Sequence, residues 1–350
     1  MVGVALAVEE VDPELLPEED LRATHRLWQD YDDEYYPWRP PAPFEAYAHI
    51  ARSHPRLPEV RSWVARRAGT MVGTAELEVW KVGQERPFAE ISVVVDPQER
   101  RRGVATDLVH TLGLTASRAG LDLIFFAAVP DSPGAAFLAA LGAKAVLRER
   151  ANVLYLADLD TALLDAWITR APERAAAYSL VSWDGPCRQD LLGAYAALRQ
   201  VMNTAPRGEA EWDDFRWTPE TARSYEQTWS SQGHRWWTLV ARHDPSGTLV
   251  GFTEIVFRAE RPGVATQEDT GVDPSHRGLG LGRWLKAAML KRLLAERPDV
   301  GLIETGNAGS NAPMLAINDA LGFRCLAEVD VYQIPTDDLL ASTERPTARS

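Results

Sequence analysis

Polar and apolar positions fall into the same succession of periods in both halves of the chain. In the first half, residues 4–8 read as a strand, and Pro17-Glu18-Glu19-Asp20 opens a helix to about Asp30. Its acidic start suits the positive end of the helix dipole. A second helix is expected from about Phe44 to Ser53. Residues 61–65 and 71–80 read as a hairpin turned at Ala68-Gly69, followed by a β-branched strand over 88–95. Leu108, Leu112 and Thr115 then share one face of a helix ending near Ala119. The apolar run 123–129 is a strand, 134–141 a short helix ended by Gly142, and strands at 143–150 and 153–156 close the half.

The second half restarts after a charged, alanine-rich stretch, 158–177, read as a partly helical linker broken at Pro172. A strand at 178–181 and a helix over 189–202 come first. A hairpin follows, 237–241 with 249–257, around Asp244-Pro245-Ser246-Gly247, and then a strand over 266–272. Leu281, Leu285, Met289 and Leu293 recur every four residues along a helix. A strand at 301–305, a helix at 315–321 and a strand holding Tyr332 complete the series. The expected division is 1–157, a linker at 158–177, 178–335, and a polar tail at 336–350.

A formal net charge of −13 opposes nucleic-acid binding, which needs cations against phosphates, and is compatible with cationic substrates. Cys187 and Cys325 stand far apart without metal-ligand spacing, so ordinary thiols and no metal are expected. No basic, apolar leader is read at Met1-Val2-Gly3-Val4, and no apolar run approaches the roughly 20 residues that span a bilayer. A cytoplasmic protein without a membrane partner is expected. Two segments mix carboxylates with aromatics: 31–38, and 203–217 with Glu209, Glu211, Trp212, Asp213, Asp214 and Trp217. Either they hold an ammonium by charge and cation–π contact, or their rings staple a solvated loop to the body.

The most informative chemistry lies at Val272-Asp273-Pro274-Ser275-His276-Arg277-Gly278-Leu279-Gly280-Leu281-Gly282, between a strand and a helix. Glycines there let backbone amides approach a ligand, and the helix N-terminus adds partial positive charge, which suits a pyrophosphate. No Gly-Lys-Ser/Thr follows, which excludes a P-loop. Asp96-Pro97-Gln98-Glu99-Arg100-Arg101-Arg102-Gly103-Val104-Ala105 repeats the pattern in the first half.

Arg277, Gly280 and Gly282, and again Arg100, Gly103 and Ala105, occupy the fixed places of Arg/Gln-x-x-Gly-x-Gly/Ala. This resembles the acyl-CoA loop of the GNAT acetyltransferase superfamily, and the chain resembles a tandem member. The resemblance implies an α/β (α+β) fold of two domains, each a mixed, mostly antiparallel twisted sheet flanked by helices. It implies acetyl-CoA as acyl donor and direct attack by a primary amine of a small molecule in a ternary complex. Cofactor contacts would come from Val272, Asp273, Arg277, Gly278, Leu279, Gly280, Leu281 and Gly282, with Asn307 and Asn311 from a second signature that ends at Gly322-Phe323. In the first half they would come from Val94, Val95, Arg100, Arg101, Arg102, Gly103, Val104 and Ala105.

A base must free the amine from its proton. Glu90 stands ten residues before Arg100, where the family often places a glutamate, and Gln267 holds the matching place before Arg277. Asp269 and Glu254 are the alternatives there. The family's tyrosine acid is replaced by Asn318 and Leu138, leaving Tyr332 as a substitute donor. The second half, which keeps both signatures, is the expected catalytic half. A sensory or structural acetyl-CoA module without turnover is the competing reading. Two cores in one chain lessen the need for a partner, leaving a monomer or homodimer.

Overall fold

The structure is a computed structural model that describes residues 5–53 and 57–344. Val4 and residues 345–350, parts of the expected first strand and tail, lie outside the described residues. The chain forms two compact units, one running to Arg148 with Gly208–Asp213 and the chain from Glu328, the other made of Glu149–Arg207 and Asp214–Ala327. These limits differ from the boundaries expected from the sequence.

In chain order, the first unit contains β1 (Leu6–Val11), α1 (Glu18–Tyr35), α2 (Phe44–Ala51), β2 (Glu59–Arg67) and β3 (Thr70–Trp80). It continues with β4 (Phe88–Val95), α3 (Val104–Arg118), β5 (Leu123–Ala128) and α4 (Pro133–Ala140). The strand β6 (Lys144–Tyr155) is continuous where two strands were expected, and from Glu149 it belongs to the second unit. The second unit continues with α5 (Thr161–Arg170), α6 (Pro172–Ala175), β7 (Tyr178–Asp184), α7 (Leu192–Arg199), α8 (Pro219–Ser231), β8 (Arg235–His243) and β9 (Thr248–Phe257). Then come β10 (Val264–Val272), α9 (Leu281–Glu296), β11 (Leu302–Ala308) and α10 (Ala312–Leu321). The chain returns to the first unit through β12 (Arg324–Pro335) and α11 (Thr336–Thr343).

The sheet order is β1-β2-β3-β4-β5-β12 in the first unit and β6-β11-β10-β9-β8-β7 in the second. Within each, one pair is parallel, β4 with β5 and β10 with β11. The first hairpin turns through Ala68 and Gly69, both at positive φ (52° and 79°), as a tight right-twisted hairpin requires.

One core of the first unit gathers Leu77, Ile91, Leu108, Leu112 and Ile124 beneath α3. Its counterpart in the second gathers Ile255, Leu285, Met289, Leu293 and Ile303 beneath α9. Each such large side chain contributes about 1.5–3 kcal/mol on burial. The expected polar tail is corrected: residues 336–343 form α11, with Leu339 0% exposed against α3. Between Asp337-Asp338 and the end of the helix, the adjacent Leu339 and Leu340 both reach α3 at Gly113, and Thr343, one turn after Leu339, is buried beside them. The helix over 219–231 was not expected, although Thr218 caps it in a reciprocal capping box and Pro219 holds its first turn.

Candidate functional site

The two glycine loops have the same backbone. Asp96 and Asp273 each accept a backbone N–H two residues on, from Gln98 and Ser275, at 2.8 Å in both cases. Gly103 (φ 82°) and Gly280 (φ 83°) then take the left-handed conformation as N-caps of α3 and α9. A Cβ built on Gly278 or Gly280 would meet nothing within 4 Å, so the space beside the loop backbone is open. In the first unit the place of Gly278 is held by Arg101, itself at φ 63°.

Each loop is fed by a strand that leaves its parallel neighbour. The register of β4 with β5 ends at Glu90↔Phe125, and that of β10 with β11 at Thr266↔Glu304. Beyond these points β4 and β10 run on to Val95 and Val272 and expose main-chain polar groups toward the gap. A bulge between Gln267 and Thr270 lies where β10 diverges.

In the first unit the gap is a cavity of about 500 Å³. Val93, Val94 and Val95 form one wall, Ala127, Ala128 and Val129 the other, and Gly103, Val104 and Ala105 lie at one end. Trp28, Tyr31 and Tyr35 from α1 close it, so the expected loop over 31–38 is in part the last turn of that helix. Arg100 pairs bidentately with Glu34 (2.6 and 3.2 Å), and this bond holds the Glu34 carboxyl below its usual range. Burial pushes the Tyr35 hydroxyl up to about 12. Arg102 bonds Glu99 at 2.8 Å rather than facing the cavity. Glu90 and Tyr332 are not among the cavity's lining residues. Tyr332 belongs to the first unit, on β12 opposite Phe126, and is buried in its core.

In the second unit Arg277 turns back, donating to the Val272 carbonyl (2.9 Å) and to Thr204 Oγ1 (2.8 Å). Leu279 and Val272 pack on the core, and Leu281 is buried within it. Gly282 faces Ile317, whose Cδ1 would be 3.5 Å from an added Cβ. Asn311 caps α10 through Met314 N, the duty Ser132 performs on α4. Asn307 Oδ1 accepts from Asn318 Nδ2 at 2.7 Å.

Two of the expected carboxylates meet. Glu254, 1% exposed, accepts from Arg199 Nη1 (3.0 Å), Tyr195 Oη (2.5 Å) and Thr238 Oγ1 (3.1 Å). Asp269, whose side chain is 34% exposed, takes Arg199 Nη2 at 2.7 Å. Burial pushes the Glu254 carboxyl up, against the pull of Arg199. Arg199 and Tyr195 escaped the sequence reading, since neither stands in a motif and only the packing of the helix on β9 brings them to Glu254. The expected substrate-facing segment over 203–217 is divided. Trp212 packs tilted against Phe125 (5.2 Å between ring centres) and Asp213 pairs with Arg86 (3.2 Å), while Trp217 lies 3.8 Å under the Arg199 guanidinium. Both rings therefore pack on neighbouring side chains.

Both cysteines are free, and burial pushes the Cys187 thiol up to about 12. Among the described residues no helix is long and apolar enough to cross a membrane, and no cluster of His, Cys, Asp and Glu could hold a metal.

The sequence model of the acetyltransferase (GNAT) family matches residues 24–143 and 205–323. A mycothiol acetyltransferase of Sanguibacter keddieii is 28% identical over 283 residues, covering 79% of this chain and 82% of its own. A tandem GNAT protein from the clavulanic acid biosynthesis pathway is 26% identical with a TM-score of 0.77, over 95% of this chain and 99% of that one. A GCN5-related N-acetyltransferase from Sphaerobacter thermophilus shares the fold at 16% identity and a TM-score of 0.64, over 95% and 96%. With both loops, both diverging strand pairs and both family matches in place, the chain belongs to the GNAT acetyltransferase family and carries two GNAT regions.

Proposed function

We propose that the protein transfers the acetyl group of acetyl-CoA to a primary amine of a small molecule, with chemistry in the second unit. The observation that carries this reading is the pairing, in each unit, of a diverging parallel strand with a loop whose left-handed glycine caps the start of a helix. That arrangement suits an extended amide-bearing arm ended by a pyrophosphate. Holding donor and acceptor side by side supplies much of the rate advantage of a direct transfer. Asp269 is the base this reading favours, because it combines partial exposure with a place in the β10 bulge, whereas Glu254 is enclosed. The first unit, with its cavity and no lining carboxylate except the ion-paired Glu99, would hold acetyl-CoA without turnover.

A second reading, a module that binds acetyl-CoA without catalysis, is favoured by Arg199, which ties up both candidate bases of the second unit, Glu254 and Asp269. Calorimetry with Ala105→Trp and Gly282→Trp separates the loops, since both positions lie in helical first turns without left-handed strain. Thiol release from acetyl-CoA over an amine panel, including the acceptor of the mycothiol acetyltransferase, then tests turnover. Asp269→Asn should lower kcat/KM at least about a hundredfold while leaving acetyl-CoA binding intact. Binding with no turnover on any amine would leave the second reading standing.

A further inference from the structure

Lys286 is a buried cation that the reaction outlined above does not use. It sits on α9, the helix that starts at the second loop, and is 2% exposed. Its ammonium donates to Asn318 Oδ1 at 2.6 Å and lies 5.4 Å from the Phe323 ring. Among the described residues no carboxylate pairs with it, and burial pulls it down to about 7. Such a group is costly to bury, and a leucine or methionine there would pack at less cost.

What the lysine supplies is direction. An ammonium has three donors and no acceptor, so it admits only the carbonyl end of the Asn318 amide. Asn318, itself fully buried, must then turn its NH₂ outward, and that NH₂ reaches Asn307 Oδ1 at 2.7 Å. Asn152 Nδ2 adds a second donor to the same oxygen at 3.4 Å. With its oxygen engaged twice, Asn307 is left with its NH₂ to offer. Asn307 stands on β11 past Glu304, the last residue in register with β10, and on the same face as Thr305. The Thr305 hydroxyl donates to the Gln267 carbonyl at 3.0 Å and closes the apex of the gap. Asn307 is therefore the first residue on that face beyond the apex.

We propose that Lys286 is a positioning residue: through Asn318 it fixes the Asn307 amide with its NH₂ toward the gap, as a donor for an amide carbonyl of the acyl-CoA arm. This rests on the reading of the second unit as an acyl-CoA site. The test is acetyl-CoA calorimetry on the full chain in an Ala105→Trp background, which silences the first loop, alongside thermal unfolding. Lys286→Met should weaken acetyl-CoA binding at least tenfold while Tm holds or rises. Those opposite signs would not come from a merely structural residue. Asn318→Asp keeps the lysine satisfied but cannot donate to Asn307, and should give the same loss. Asn307→Ala combined with Lys286→Met should lose no more than the larger single variant. Unchanged binding in both Lys286→Met and Asn318→Asp overturns the proposal, as does a loss in Lys286→Met that follows a fall in Tm. If the Ala105→Trp parent itself binds no acetyl-CoA, the underlying reading of the site is what fails.

Discussion

Replacing Arg199 by Met removes the cation that Glu254 meets while leaving an unbranched chain to lie on Trp217. In the native protein Arg199 is 6% exposed, contacts Glu254 at 3.0 Å and Asp269 at 2.7 Å, and stacks 3.8 Å from the indole. Without it, Glu254 keeps two hydroxyl donors, Tyr195 and Thr238, but must hold an uncompensated charge at 1% exposure. Breaking a buried pair on one side costs about 3–5 kcal/mol. The group escapes part of that cost by protonating, which fixes the pH dependence. Burial raises the folded carboxyl above its value of 4.5, so the folded state binds more protons than the unfolded chain in between. Stability is therefore fullest below that value and falls as pH rises toward the folded one, by about 1.4 kcal/mol per pH unit. The loss should therefore be smaller at pH 5 than at pH 8. Urea unfolding at pH 5 and pH 8, read by tryptophan fluorescence, measures it. The double variant Arg199→Met/Glu254→Gln should recover most of the loss, because the amide oxygen still accepts from Tyr195 and Thr238. A loss under about 1 kcal/mol at pH 8, equal losses at both pH values, or no recovery would refute the reasoning.

Other substitutions probe separate features. Gly208 sits at φ 59°, and an added Cβ would lie 2.3 Å from the Val146 carbonyl oxygen. Gly208→Ala should displace the 2.8 Å bond from Glu209 N to that oxygen and cost about 2–3 kcal/mol, read as a lowered Tm. Leu339→Ala should cost about 2–5 kcal/mol in urea unfolding, and a neutral result would return α11 to the status of a tail. Burial lowers Lys286 from 10.5 to about 7, so between these values the unfolded chain binds more protons and stability should rise with pH. Tm measured at pH 6.5 and 9 should show that rise in the native chain and a flatter response in Lys286→Met.

The loops and the order of elements were legible because their signals are local. Asp-Pro turns, glycines before an amphipathic run, and β-branched stretches each act over a few residues. The partners of the strands were not. Residues 144–155 read as two strands because Arg148 to Asn152 break the apolar pattern, and nothing in the sequence says that the later part pairs with β11. Tyr332 likewise reads as the last strand of the second half, yet it faces Phe126 and the first core. The acidic and aromatic run at 31–38 read as loop because Asp and Tyr are indifferent helix formers. The cavity it closes depends on Trp28 and Tyr31, one turn apart, facing the diverging strands. Lys286 was missed for a related reason: a lysine within Arg283-Trp284-Leu285-Lys286 reads as solvated, and only packing from α10 shows it enclosed.

The distribution of strands between the units bears on how the protein is made. The first unit draws β12 and α11 from the end of the chain, and the second takes the latter part of β6 from the middle. While a ribosome is still translating residues before 324, β5 has no antiparallel neighbour on its outer side, and Ile124, Phe125 and Phe126 lie along an unpaired edge. That edge is closed only once residues 330–335 have emerged, a long-range pairing that forms late and slowly. A nascent chain stalled before that point would be a target for chaperones, and a gene cut between its halves would leave neither product with its full sheet. The tandem arrangement is thus a single unit of inheritance as well as of synthesis.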